Sequence, residues 1–386
     1  MPTKILVVDD EPDLQTLISQ KFRKKVRDLE LVFTFAESGA TALHKLHEES
    51  DIDLVLTDIN MPEMDGLTLL AKVNEQYPLV KSVIVSAYGD MANIRTALNR
   101  GAFDFITKPI DFQDLEITLG KTMQAALAQK QSAKDRDQLV ALQRELDVAR
   151  RIQSAIVPRN FPPFPEREEF EIQAEMIPAR EVGGDFYDFF LIDNERLGFV
   201  IGDVSGKGVP AALFMAVSKT LIKATAMTGV APEECLQQVN NMLCLDNVSA
   251  MFVTVFYGIL HVRTGEVAYC NGGHNPPFIL RADGRAEISE TTGSLVLAAL
   301  TTATYKAKRI ALQPGDGLFL YTDGVTESMD QHDNVFAEQR LQDCLQRRQG
   351  AALREVVAGV ADEVKAFSQG VPQADDVTVL ALRYLA

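Results

Sequence analysis

Residues 5–12 read ILVVDDEP and residues 55–66 read VLTDINMPEMDG. Each is a short run of branched apolar residues that stops on aspartate. That is the pattern of a strand buried on both faces whose end opens on a polar site. Working outward, further apolar runs fall at 31–35, 83–85 and 103–106, with helix-compatible stretches at 13–26, 39–47, 67–74 and 92–99. Five strands alternating with helices in so short a segment predict a doubly wound, five-stranded parallel sheet. Such sheets gather their ligand site at the carboxyl ends of the strands. Asp9 and Asp10 end the first strand, Asp58 the third, Ser86 the fourth and Lys108 the fifth, so all converge on one edge.

Bulk properties bound the rest. At 386 residues the chain is long for one domain and comfortable for two. Hydrophobic and charged fractions of 46% and 24% are ordinary for a soluble globular protein. No uninterrupted apolar run approaches the ~18 residues of a membrane span, and acids interrupt the first apolar stretch, so neither a membrane partner nor a signal peptide is expected. The four cysteines lack CxxC spacing and read as free thiols in a reducing, cytoplasmic setting. A net charge of -16 argues against a nucleic-acid partner, which would require clustered Lys and Arg.

Residues 112–157 contain one glycine, Gly120, and no proline. Leu139, Leu142, Leu146, Ala149 and Ile156 form a short heptad-like stripe with Gln153 as a polar intruder. The stretch is read as a helical linker over 123–157, with a homodimeric coiled coil through the seam as one reading and a packed amphipathic helix as the other. If continuous, ~45 residues of helix span roughly 65 Å. The proline-rich run at 158–165 then opens a second domain, 158–386, where separately clustered strands and helices predict an α+β layered fold.

Asp9, Asp10 and Asp58 brought together would repel; two charges at 4 Å cost about 4 kcal/mol at an effective dielectric of 20. A Mg²⁺ ion removes that penalty and prefers such oxygen ligands. Asp58 can then act as a nucleophile toward a phosphoryl donor, with Lys108 and Ser86 binding the phosphoryl oxygens. In the second domain, Asp203 follows LGFVI, Asp323 follows LFLY, Asp375 precedes VTVLAL and Asp185 follows two glycines. Four aspartates beside glycines, with no His or Cys ligand nearby, favour a site for two Mg²⁺ or Mn²⁺ ions. Two such metals ~3.5–4 Å apart can clamp a phosphate for in-line displacement.

The stretches ILVVDDEP, VLTDINMPEMDG, VIVSAYGD and FDFITKP resemble, in order and spacing, a two-component response-regulator receiver domain over residues 1–122. The resemblance implies a flavodoxin-like fold with Asp58 as phosphoacceptor. It further implies that Asp10, Asp58 and the Asn60 carbonyl bind Mg²⁺, with Asp9 supporting the metal's water shell. Ser86, Phe105 and Lys108 are the implied switch residues, and the Lys108–Pro109 peptide is implied to be cis.

The stretches VGGDFYD, GDVSGKGVPAALFMA, NGGHNPPFIL, LYTDGVTE and ADDVTVLAL resemble the PPM-type metal-dependent Ser/Thr phosphatases of the SpoIIE/RsbU subgroup, over about residues 147–386. The implied fold is two stacked β-sheets flanked by helices. The implied roles are Asp203 bridging both metals, the Val204 carbonyl and Asp185 on one of them, and Asp323 with Asp375 on the other. Asp203 and Asp323 are the catalytic candidates, Asp376 a neighbour. His274 is a general-acid candidate or a structural turn histidine; Arg180 contacts substrate phosphate or forms an exposed ion pair. RELDVARRIQSAIVP resembles the regulatory helix that precedes such domains. GSLVLAAL at 293–300 and VFAEQRL at 335–341 depart from the family pattern without touching an implied ligand.

The resemblance thus implies a cytoplasmic response regulator addressed by a sensor histidine kinase. Its output would dephosphorylate a partner protein, an anti-sigma-factor antagonist. The alternative is a non-catalytic adaptor that uses the phosphatase fold to bind a partner.

Overall fold

The computed structural model describes residues 2–49, 51–87, 90–245, 247 and 249–386. Tyr88 and Gly89 of the VIVSAYGD stretch lie outside the described residues. The chain forms two compact units, one ending at Leu142 and the other running Gln143–Ala386.

The first unit begins β1 (Thr3–Val8), α1 (Pro12–Lys21), α2 (Arg23–Arg27), β2 (Leu31–Ala36), α3 (Gly39–Glu48), β3 (Leu54–Asp58) and α4 (Gly66–Gln76). It continues with β4 (Lys81–Ala87), α5 (Met91–Asn99), β5 (Asp104–Lys108) and the first part of α6 (Phe112–Ile156), whose residues from Gln143 on belong to the second unit. The strands lie in the order β2-β1-β3-β4-β5, all parallel. Order reverses between β1 and β3, and that is where a doubly wound sheet opens its ligand crevice. β1 and β3 are almost wholly buried because helices cover both faces. The helix expected over 13–26 is two helices: Phe22 interrupts it, its ring buried and 5.5 Å from that of Phe33.

α6 is one 45-residue helix. Its early part is pinned to the first unit by Lys130, whose ammonium lies 2.6 Å from Asp53 Oδ1 at the start of β3. Of the seam residues, Leu139 and Leu142 are 67% and 54% exposed, whereas Leu146, Ala149 and Ile156 are half-buried.

The second unit contains β6 (Phe170–Ile177), β7 (Phe186–Leu191), β8 (Arg196–Val204), α7 (Val209–Ala226), α8 (Pro232–Leu245), β9 (Val253–His261) and β10 (Glu266–Gly272). After these come β11 (Phe278–Leu280), β12 (Ala286–Ile288), β13 (Lys308–Ala311), β14 (Gly317–Tyr321), α9 (Asp323–Thr326), α10 (Ala337–Arg347), α11 (Leu353–Phe367) and β15 (Val377–Tyr384). They form two antiparallel sheets, β13-β10-β9-β8-β7 and β12-β11-β14-β15-β6. Alternate residues of each sheet meet in a shared core that includes Phe199, Phe256, Tyr269, Leu320 and Leu380. The rings of Phe256 and Tyr269 stack with centroids 5.1 Å apart. The outer faces are covered by α7 with α8 on one side and α10 with α11 on the other. Each fully buried Phe or Leu contributes about 1.5–3 kcal/mol.

α7 does have the length and mean hydropathy of a membrane span. Its apolar character serves the core: Ala211, Met215 and Ile222 pack against the β7–β10 sheet and α8. Its buried Lys219 is neutralised by the buried Asp188 on β7.

Candidate phosphorylation and metal sites

In the first unit the strand ends deliver their polar residues as the sheet order requires. Carboxylate oxygens of Asp9, Asp10 and Asp58 all lie within 4.8 Å of one another. Asp9 and Asp58 are buried and Asp10 is exposed. Lys108 Nζ stands 2.6 Å from Asp58 Oδ2 and 3.1 Å from Asp9 Oδ2. Burial alone would lower the lysine's pKa; its hydrogen bonds to Asp58 and Asp9 outweigh that and raise it, so it stays charged. Burial raises the Asp9 carboxyl in spite of Lys108. Three acids facing one lysine leave an anionic pocket of oxygen donors, and that set fits Mg²⁺. The Asn60 backbone N–H points at Asp58 Oδ1, 3.4 Å away.

Ser86 is fully buried and its hydroxyl has no hydrogen-bond partner among the described residues. An orphaned buried hydroxyl costs roughly 1–3 kcal/mol, and a phosphoryl oxygen would satisfy it. Phe105 sits next in register to Ile84 on β4 and packs against a small cluster of Ile59, Leu70, Ala97 and Ala102. It therefore borders the segment that leaves Asp58. The Lys108–Pro109 peptide is cis.

In the second unit Asp203 is the penultimate residue of β8, Asp323 opens α9 directly beyond β14, Asp375 lies two residues before β15, and Asp185 immediately precedes β7. The adjacent strands β7 and β8 of one sheet and β14 and β15 of the other thus bring these aspartates to one end of the sandwich. Asp185 is buried, receives a hydrogen bond from Thr322 Oγ1 at 2.7 Å, and burial together with the charge of Asp203 holds its carboxyl far above the usual range. Burial first, then the charge of Asp323, pushes Asp203 up to about 7. Asp323 is raised by burial and by Glu327. Carboxyls driven up by one another's charge are an incomplete electrostatic assembly, and divalent cations complete it. The donor set fits Mg²⁺ or Mn²⁺.

The Asp375 carboxylate faces Lys207, 2.8 Å away. Asp376 is buried and accepts from the backbone N–H groups of Ala179, Gly184 and Asp185. A Cβ on Gly183 would fall 1.9 Å from Asp376 Oδ2, so only glycine admits this approach. His274 is buried; its backbone N–H is held by Asn271 and its Nδ1 lies 2.9 Å from Thr254, the register partner of Asp203. Burial drops its pKa to about 4, so the imidazole is neutral near pH 7. Arg180 is exposed at the rim of the cleft that holds Asp375.

With that geometry in place, the family model for Stage II sporulation protein E (SpoIIE) matches residues 193–385, half of the chain. The chain belongs to the SpoIIE family. The response regulator receiver domain model matches residues 5–119, so a receiver domain precedes the SpoIIE-family domain. Protein IcfG of Synechocystis sp. is 31% identical over 265 residues, 62% of this chain and 41% of that protein. The match therefore spans about two fifths of that relative. Phosphoserine phosphatase RsbU of Bacillus subtilis is 29% identical over 62% of this chain and 70% of its own length. Among solved structures, the RsbU and RsbW domains of Rv1364c from Mycobacterium tuberculosis give a TM-score of 0.50 at 29% identity, covering 56% of this chain and 60% of that one. The SiaA-PP2C domain of Pseudomonas aeruginosa shares the fold, with a TM-score of 0.56 at 22% identity over 64% of this chain and 98% of its own.

Several residues of the SpoIIE-family domain's site escaped the sequence reading. Gln153 is not an intruder in a seam. It is buried, its side-chain amide donates to the Gly183 carbonyl at 2.7 Å, and its side-chain oxygen accepts from the Gly183 N–H at 3.1 Å. The last turn of α6 therefore grips the loop that carries Asp185. A polar residue inside an apolar helical stripe was the available signal. Thr322 was hidden because its only mark is its place beside Asp323. Lys207 had one, being a lysine between two glycines just after Asp203.

The raised carboxyls set a pH dependence. A carboxyl with a folded pKa of about 7 against 3.8 destabilises the metal-free protein progressively as pH rises through that window, because ionisation costs more in the folded state. Divalent metal cancels the cost. The melting temperature of the second unit in chelator should fall between about pH 4 and pH 7, and the increase on adding Mn²⁺ should be larger above that window than below it. Calorimetric melts across the range check this; a metal-induced shift independent of pH would contradict it.

Proposed function

We propose that this chain is a two-component response regulator phosphorylated on Asp58 by a sensor histidine kinase. Residues 1–122 serve as input, 123–157 as connecting helix and 158–386 as output. The output is Mg²⁺- or Mn²⁺-dependent hydrolysis of phosphoserine or phosphothreonine on a partner protein. The carrying observation is the convergence of Asp185, Asp203 and Asp323 at one sandwich end with carboxyls raised by burial and mutual charge. A fold kept only for binding has no use for so costly a cluster. The bound metals would supply charge neutralisation and a nucleophile at neutral pH. Asp203 and Asp185 would hold one of them together with the Val204 carbonyl, and Asp203, Asp323 and Asp375 the other. Thr322, Gln153 and Asp376 orient the loop of Asp185. The substrate we assign is an anti-sigma-factor antagonist and the setting cytoplasmic, both following the family resemblance and the likeness to phosphoserine phosphatase RsbU. Hydrolysis of a phosphoserine peptide that requires Mn²⁺ or Mg²⁺ and stops in excess chelator tests the reading. Full activity in chelator would reject it.

In the receiver, an Asp58 oxygen attacks the phosphorus of the donor phosphohistidine, the P–N bond breaks and the imidazole leaves. Lys108 and the Ser86 hydroxyl hold the new phosphoryl oxygens, and Phe105 repacks beside them. The state reaches the output through α6, whose seam, exposed at Leu139 and Leu142, we assign to a homodimeric contact. Leu142→Pro or Leu146→Asp should then uncouple the phosphatase rate from the receiver while both metal sites still bind. The measurement is the rate with and without beryllofluoride. Seam variants that keep the full wild-type response would make α6 a passive tether.

A further inference from the structure

Lys207 lies four residues beyond Asp203, between Gly206 and Gly208, whose φ values are 90° and 77°. Those left-handed conformations suit glycine, and together they return the loop toward the carboxylates. The Lys207 ammonium donates to Asp375 Oδ2 at 2.8 Å and to the Ala374 carbonyl. Both side chains are about two fifths exposed, at 39% and 40%. Such an open pair is weakly held and exchanges partners readily. Lys207 lines one small cleft with Arg180, Asp375 and Asp376.

Charge balance gives the lysine a task. Two divalent cations would bring four positive charges to a site with the five aspartates 185, 203, 323, 375 and 376, and Glu327 lies near enough to raise Asp323. A phosphomonoester dianion entering there meets no net positive charge from metals and aspartates alone. It needs a mobile cation at the rim, and Lys207 is already placed on the carboxylate that metal would claim.

We propose that Lys207 is a substrate-binding residue that pairs with Asp375 while metal is absent and passes to the substrate phosphate when Asp375 turns to metal. The inference rests on the phosphatase reading above. The lysine makes and breaks no covalent bond. Its N–H groups donate first to Asp375 and the Ala374 carbonyl, then to non-bridging phosphate oxygens. Two effects of opposite sign follow from removing the ammonium. Asp375 is freed, so metal binds more tightly. The phosphate loses an anchor, so substrate binds more weakly. A lysine that only braces the loop would, on removal, weaken both.

The test uses the full chain as wild type, Lys207→Met, Lys207→Gln and Lys207→Arg. Mn²⁺ binding without substrate is measured by titration calorimetry, and KM is measured with a phosphoserine peptide. For Lys207→Met and Lys207→Gln, the Mn²⁺ Kd should fall a few-fold (roughly 2–5) as a partly exposed ion pair is lost. KM should rise on the order of 10-fold or more as a charge-assisted hydrogen bond is lost, with kcat changing less, and Lys207→Arg should stay near wild type in both. An unchanged or larger Mn²⁺ Kd, or an unchanged KM, in the Met and Gln variants overturns the role of Lys207 alone. A wild type with no metal-dependent hydrolysis overturns the phosphatase reading and this inference with it.

Discussion

Asp203→Asn is expected to reduce metal-dependent phosphoserine hydrolysis by at least ~10²–10³-fold, the size of effect seen when one preorganised electrostatic group is removed from a reacting centre. Asp203 stands between the two groups of acids: the charges of Asp323, Asp375 and Asp376 and the side chain of Asp185 all act on it. On the proposed reading Asp203 is the one carboxylate shared by both metals, so a neighbour would not cover its loss. The amide keeps the shape and removes the charge. A second readout has the opposite sign. In chelator the variant should melt no lower than wild type, and higher above about pH 7, because it removes a buried acid whose ionisation the fold resists. Loss of activity with a lowered chelator melt would point to misfolding instead. Retained activity would show that the catalytic metals are held without Asp203.

Asp58→Asn should remove labelling of the chain by acetyl phosphate and Mg²⁺ to background. Asp58 is the buried carboxylate at the end of the central strand β3, with Lys108 Nζ 2.6 Å from one oxygen and the Asn60 N–H directed at the other. A side-chain amide at the same place is not a competent nucleophile toward phosphorus. Asp9→Asn should slow labelling without ending it, since Asp9 contributes charge to the pocket and pairs with Lys108 at 3.1 Å. Label that persists at the wild-type level in Asp58→Asn would assign the phosphoryl group to another residue. The phosphatase rate of the same variant then reports whether the receiver governs the output, since beryllofluoride should no longer change it.

Much of this molecule is legible in the chain because its signals are local. An apolar run that ends in aspartate marks a buried strand with a polar tip, and in a parallel sheet all such tips share one edge. β1, β3, β4 and β5 therefore place Asp9, Asp58, Ser86 and Lys108 at one edge by strand topology alone. The same logic found the ends of β8 and β14. β7 was harder: FYDFFL is buried on both sides, contains an aspartate and shows no alternation. Its Asp188 looks like a surface residue until α7 supplies Lys219.

By itself the sequence determined the two domain types, the strand ends that carry the aspartates and the glycines that admit close approach, because each depends on chemistry within a few residues. Only the tertiary structure decided which partners those residues take. Gln153 and Gly183 are thirty positions apart, and Asp376 and Gly184 nearly two hundred. Asp375 meets Lys207 across a similar separation. Pairings at that distance have no local periodicity to betray them; packing sets them, as strands from distant parts of the chain are brought into one sheet and buried polar groups must be satisfied. The raised carboxyls have the same origin, since an aspartate's pKa is set by the charges folded around it and by the water folded away.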